Sequence, residues 1–185
     1  MTAEAQTPAD LLRPLRRTRQ IRQFEGAPVD PEILEALADV ARWTGSSRNS
    51  QPWRFIVITE PSTLRALHEA GLPQTRGLET APAAIAIVLP SDPAGAVHDA
   101  YDDGRVAERL LVAAAILDIG AGISWIRTDV RPAAGTILGL PDDWMVRTVV
   151  QIGHPTAEAR APKSPPGDAR LPRSQTVFAE RWPAD

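Results

Sequence analysis

Five arginines (Arg13, Arg16, Arg17, Arg19 and Arg22) fall within ten residues of a chain whose formal net charge is −3. Guanidinium presents a planar fork of donors, the geometry that grips phosphate oxygens. Arg19 and Arg22 are three apart, so a helix would turn both toward one anion. Each charge-assisted bond of that kind is worth about 1.5–3 kcal/mol. The same run also reads as a solvated helix face, and both readings stand at this point. The second chemical stretch is Gly45-Ser46-Ser47-Arg48-Asn49-Ser50-Gln51-Pro52-Trp53. Its polar side chains could satisfy their own turns, or match the ring edge of a planar heterocycle whose apolar part meets the Trp.

Other constellations carry less. Zero Cys excludes a disulfide scaffold, a thiolate metal site and a cysteine nucleophile. His68, His98 and His154 lack metal-ligand spacing, so the expectation is no metal. Asp102-Asp103 and Asp142-Asp143 pair carboxylates, each read as capping the element that follows. Gly120-x-Gly122 lacks the third glycine of a dinucleotide fingerprint and follows a helix, not a strand. Trp125 and Trp144 read as core or interface residues. Gln74 and Arg76 lie between Gly71 and Thr80, a stretch expected to wall a pocket.

The elements that must position these residues follow from local signals. Thr7-Pro8-x-Asp10 starts a helix with Thr7 as N-cap, and Pro14 kinks or restarts it. Asp30-Pro31-Glu32 starts another, with Ile33, Leu34, Leu37, Val40 and Ala41 as its apolar stripe. Residues 44–52 form a loop, and 55–58 a strand. Ser62 caps a helix ending near Gly71. Strands follow at 83–89, 123–126 and 145–152, with a long central helix over 102–118 and a short one after Pro132. Helices and strands mix without βαβ repetition, which predicts an α+β fold. Six of the 18 prolines (Pro155, Pro162, Pro165, Pro166, Pro172, Pro183) occupy the last 31 residues, so that tail is neither ordinary helix nor central strand. A chain of 185 residues suits one domain. The pI near 5.6 argues against nucleic-acid and anionic-membrane partners. No apolar run approaches the roughly 20 residues of a membrane span. Met1-Thr2-Ala3-Glu4 has no apolar core, so no signal peptide is expected there, and the expected location is cytoplasmic.

The stretch from Trp43 to Phe55 strongly resembles the signature loop of the nitroreductase family of flavin enzymes, Ala-Pro-Ser-Ser-x-Asn-x-Gln-Pro-Trp-x-Phe. Arg19-Gln20-Ile21-Arg22-Gln23-Phe24 falls where the family has a basic residue, Ser, any residue, a basic residue, any residue and Phe. Gly120-Ala121-Gly122 with Trp125-Ile126, Leu138-Gly139-Leu140-Pro141, Ile152-Gly153-His154-Pro155, Arg170-Leu171-Pro172-Arg173 and Glu180-Arg181-Trp182 resemble further family segments. The likeness spans about residues 8–182.

That resemblance implies an α+β homodimer, each chain a central mixed sheet flanked by helices, with FMN at the subunit interface. The core would cover about residues 8–155, and residues 156–185 would form an arm wrapping the partner. The phosphate would fall to Arg19, Gln20, Arg22 and Arg170, and the flavin would be lined by Ser46, Ser47, Asn49 and Gln51. Trp125, Ile126, Arg127 and Thr128 map to the segment whose backbone amide faces flavin N5. The implied activity is ping-pong hydride transfer from NADH or NADPH through N5 to nitroaromatic, quinone or similar acceptors. The cofactor would carry the chemistry, so no catalytic acid or base is expected. Deazaflavin-linked or flavin-fragmenting relatives, and a non-catalytic flavin-binding protein, stand as alternatives. Three positions depart from the pattern. Gln20 replaces Ser, Thr44-Gly45 replaces Ala-Pro and is expected to loosen the loop, and Arg127-Thr128 stands where Gly-Gly or an acid and Gly is common. Arg127 reads either as a cation near the flavin or as a surface residue at a strand end.

Overall fold

The computed structural model describes residues 7–162, 164 and 170–182. Met1–Glu4, Pro165, Pro166 and Pro183 lie outside the described residues. The chain starts with α1 (Pro8–Leu11), capped as expected by Thr7 in a reciprocal capping box with Asp10. Pro14 sits in the first turn of α2 (Arg13–Arg17), where its missing N–H costs nothing. In α3 (Pro31–Arg42) the Asp30 carboxylate accepts the Glu32 N–H at 2.9 Å. That helix buries Leu34, Leu37 and Ala41, while Val40, expected in the apolar stripe, is exposed. The helix α4 (Pro61–Gly71) corrects one expectation: Glu60 is its cap, taking both the Ser62 N–H and the Ser62 hydroxyl.

Four strands, β1 (Arg54–Ile58), β2 (Ala83–Pro90), β3 (Gly120–Trp125) and β4 (Trp144–Gly153), form one sheet in the order β1-β2-β4-β3. Every neighbouring pair is antiparallel, which corrects the expected mixed sheet: among the described residues no parallel strand joins it. The inner strands β2 and β4 are covered on both faces, which explains their near-continuous apolar runs. Ile85, Ile87, Leu89, Val150 and Ile152 face one core with α3 and the long helix α5 (Ala96–Ile116). Ala84, Ala86, Val146 and Val149 face the other, with α4 and α6 (Arg131–Leu138). The result is α+β, three layers deep, with side chains alternating across the sheet as the two-residue period requires. A register shift places Arg147 as the extra residue of a bulge in β4.

Two further expectations are corrected. The long helix begins at Ala96, six residues before Asp102. Asp102 and Asp103 therefore lie inside it, both buried, and cap nothing. Residues 19–23 are not helical, so Arg19 and Arg22 do not share a helix face. The segment runs alongside β3 instead: Ile21 N–H donates to Ala121 O at 2.9 Å and Gln20 Oε1 accepts the Ile123 N–H at 2.7 Å. Gly122 is what admits it, since a Cβ there would collide with the Ile21 carbonyl. Past β4, Phe24 bridges Pro155, and α7 (Ala157–Arg160) follows. Residues 170–182 contain one short 3-10 turn (Arg173–Gln175) and leave Leu171 and Trp182 68% and 78% exposed.

Candidate active site

Three groups of residues make up the candidate site. The first is a pocket of about 560 Å³ whose lining includes Arg19, Gln20, Arg22 and Arg170. Arg19 is held in place by the end of α7, donating to Ala161 O at 3.1 Å and Arg160 O at 2.5 Å. Gln20 and Ile21 are fixed on β3 by the bonds described above, and buried Gln151 adds a third tie. Its Nε2 donates to Ile21 O at 3.2 Å while its Oε1 accepts from Ser124 at 2.5 Å. The two arginines of the segment thus flank a stiff dipeptide. The Arg22 guanidinium makes no hydrogen bond among the described residues, so its donors are available to an anion. Arg13, by contrast, is paired with Asp10 at 2.6 Å.

The second group is the 44–52 loop. It contains a short 3-10 turn (Ser47–Asn49), and Ser46 Oγ accepts the Gln51 N–H at 2.9 Å to close it. Arg48, Asn49 and Gln51 all have positive φ, at 52°, 54° and 48°. Asn tolerates that region and the other two do not. The loop is anchored from outside. Asp102 Oδ2 accepts the Ser47 N–H at 3.3 Å, and Arg109 donates to Trp43 O at 2.8 Å. Gly45, expected to loosen the loop, instead lies against the Arg105 guanidinium. Ser47 Oγ and the Asn49 side-chain amide have no partner among the described residues.

The third group ends β3. Trp125 is 47% exposed, Ile126 is buried, and Ile126 N–H donates to Arg147 O at 2.9 Å. Among the described residues nothing accepts the Thr128 N–H. Arg127 forms a bidentate pair with Asp129 at 3.0 and 2.6 Å, and that bond holds the Asp129 carboxyl below its ordinary pKa. Behind this segment, Thr148, which faces Trp125 across the ladder, donates to Asp103 Oδ2 at 2.8 Å. Burial pushes Asp103 up to about 6, against the opposing pull of the Thr148 hydrogen bond, Arg147 and Arg131.

The structure therefore gathers the expected phosphate residues in one pocket and sets the loop and the Trp125–Thr128 segment as separate groups. α5 connects them. Asp102 and Asp103 serve the loop and β4, and Glu108 lines the arginine pocket, about 9 Å further along the helix axis. Gln74 and Arg76 line none of these groups; Gln74 has a buried Oε1 without a described partner. Sequence reasoning missed Asp102, Arg105, Arg109 and Gln151. Only the i, i+3, i+7 spacing of the first three on one helix hinted at a shared face.

Comparison with known proteins supports this reading. Residues 15–77 match the model of the Nitroreductase family. The chain is 30% identical over 148 residues to an Archaeoglobus fulgidus protein provisionally named NADH dehydrogenase/NAD(P)H nitroreductase, covering 76% of this chain and 82% of that one. An FMN-dependent nitroreductase from Clostridium difficile R20291 superposes with a TM-score of 0.77 at 22% identity, covering 91% of this chain and 98% of that one. A Desulfovibrio desulfuricans protein, provisionally a nitroreductase and solved in complex with FMN, gives 0.74 at 23% identity, with 97% and 100% covered. The chain belongs to the nitroreductase family.

Proposed function

We propose that this protein is an FMN-dependent oxidoreductase that takes reducing equivalents from NADH or NADPH and passes them to nitroaromatic, quinone or similar small acceptors. The observation that carries the reading is the convergence of Arg19, Gln20, Arg22 and Arg170 on one pocket. That donor set fits a phosphate and would serve no apolar ligand. A bound flavin supplies hydride exchange at N5, chemistry that belongs to the cofactor. The chain's own residues bind and orient. Arg19, Arg22 and Arg170 offset the phosphate charge, with Gln20 Nε2 as a further donor. Ser46, Ser47, Asn49 and Gln51 serve the polar edge of the ring, and Trp125 and Ile126 set the backbone that carries the donor. Thr128 N–H is the donor proposed for N5, a preorganised dipole of the kind that stabilises developing charge. Arg127, engaged by Asp129, presents little net charge to the site.

The working unit we propose is a homodimer, with residues about 8–155 as core and 156–185 as an arm laid on the partner. Exposed Leu171, Val177 and Trp182 support it, being apolar side chains that the described residues leave largely uncovered, Trp182 meeting the Phe178 ring edge-on. Among the described residues no helix is long and apolar enough to cross a membrane. A chain with zero Cys suits a reducing compartment, and we place it in the cytoplasm. The test is anaerobic titration of the FMN-loaded protein with NADH and NADPH, followed by a nitroaromatic or a quinone. Bleaching by a nicotinamide and recolouring by the acceptor are expected. Flavin that neither nicotinamide bleaches sinks the catalytic reading in favour of a flavin-binding protein or a deazaflavin-linked one.

A further inference from the structure

We infer that one face of α5 is a latch for the 43–51 loop, with Arg105 and Asp102 as positioning residues for the loop's flavin-side donors. The second half of that statement rests on the flavin reading above; the first rests on geometry alone. Asp102, Arg105 and Arg109 stand at i, i+3 and i+7, one stripe of the helix. They meet alternate residues of the loop. Arg109 holds Trp43 O at 2.8 Å, the Arg105 guanidinium covers Gly45, and Asp102 takes the Ser47 N–H at 3.3 Å. Arg105 also donates to Asp102 Oδ1 at 3.3 Å, joining two of the three contacts.

The fit at Gly45 is specific. A Cβ there would lie 2.9 Å from Arg105 Nη2, so any larger residue displaces the guanidinium. The usual proline would stiffen this position by its own ring; here the glycine gives up that stiffness and admits an arginine. The loop requires outside support because three non-glycine residues of positive φ, Arg48, Asn49 and Gln51, follow the latch within four positions. Such conformations persist only where surrounding contacts over-determine them. Holding them fixes where Ser47 Oγ and the Asn49 amide are presented.

The experiment uses the full chain with Arg105→Ala, Gly45→Ala and the double substitution, with Arg13→Ala as control. Amide exchange of residues 46–51 is read in the flavin-free protein, and FMN affinity and thermal midpoint are read beside it. Each single substitution removes the same contact, so each accelerates loop exchange and weakens FMN by about ten-fold, and the double substitution weakens it by about the same ten-fold in total rather than a hundred-fold. Gly45→Ala leaves the thermal midpoint in place, since it shifts the guanidinium without removing the cation, whereas Arg105→Ala also lowers it, because the buried Asp102 carboxylate, 3% exposed, then keeps only the Ser47 N–H. Loop exchange unchanged in both singles overturns the latch. Faster exchange with FMN bound as tightly as in the wild type overturns the positioning role. A wild type that binds no FMN overturns the flavin reading and the positioning role together, while exchange still decides the latch.

Discussion

Asp103 offers a sharp quantitative test of the packing beneath the Trp125 segment. Its carboxyl is 5% exposed, bonded through one oxygen to Thr148 and left without a partner on the other. Desolvation of the charged form is the largest cause of its rise from 3.8 to about 6. The folded pKa is above the unfolded one, so the folded state prefers the neutral acid. The associated stability is fully present below about pH 4 and is lost as pH rises through about 6. A gap of about two units corresponds to about 3 kcal/mol. Asp103→Asn keeps an oxygen to accept from Thr148 and removes the titration. It also places an amide N–H where no acceptor waits, a pH-independent cost that cancels when two pH values are compared. The assay is urea unfolding of wild type and Asp103→Asn at pH 4 and pH 8, at one protomer concentration. The stability of the variant relative to wild type should increase by about 3 kcal/mol between the two pH values, or about 6–12 °C in midpoint. An unchanged difference would mean that water reaches Asp103 and that the buried Asp103–Thr148 contact between α5 and β4 is wrongly drawn.

Three further outcomes are expected. Arg22→Ala should weaken FMN binding about ten- to a hundred-fold, the loss of one or more charge-assisted bonds, whereas Arg13→Ala, already paired with Asp10, should leave equilibrium dialysis unchanged; equal effects would return the cluster to a solvated surface. Gly122→Ala forces a Cβ into the Ile21 carbonyl, so melting and FMN retention should both fall, and an unaffected variant would show that the 19–23 segment is not docked on β3. Truncation before Arg170 should abolish FMN retention and yield monomer by light scattering; a dimer that keeps its flavin would remove the arm from the site.

Much of the fold was legible because local signals and burial agree. Thr7 and Asp30 cap the helices they precede, and the apolar runs of β2 and β4 are strands covered on both faces. Legibility failed where distant contacts decide. Asp102 and Asp103 read as caps at the start of a helix, yet they lie inside α5, and Ser47 N–H and Thr148 Oγ1 supply them with partners from other elements. Arg19 and Arg22 were assigned a helical spacing, but the amide of Gln20 and the backbone of Ile21 bind β3 and draw the segment out straight. Ser62 looked like a cap because hydroxyls commonly are; Glu60 reaches two residues forward and takes the role. The loop departure at Gly45 was read as looseness, since nothing local to it announces an arginine sixty residues away along the chain. The candidate site residues were visible through the family motif, and their supports on α5 and β4 were not.

The central claim is that Arg19, Gln20, Arg22 and Arg170 hold the phosphate of a resident flavin. The most direct measurement is the visible absorption of the purified protein after FMN loading and desalting, compared with riboflavin-loaded protein treated identically. Retention of FMN at about one per chain, with riboflavin lost, is the result expected if the arginine pocket grips the phosphate. Loss of FMN on the column, or riboflavin held as well as FMN, would contradict it.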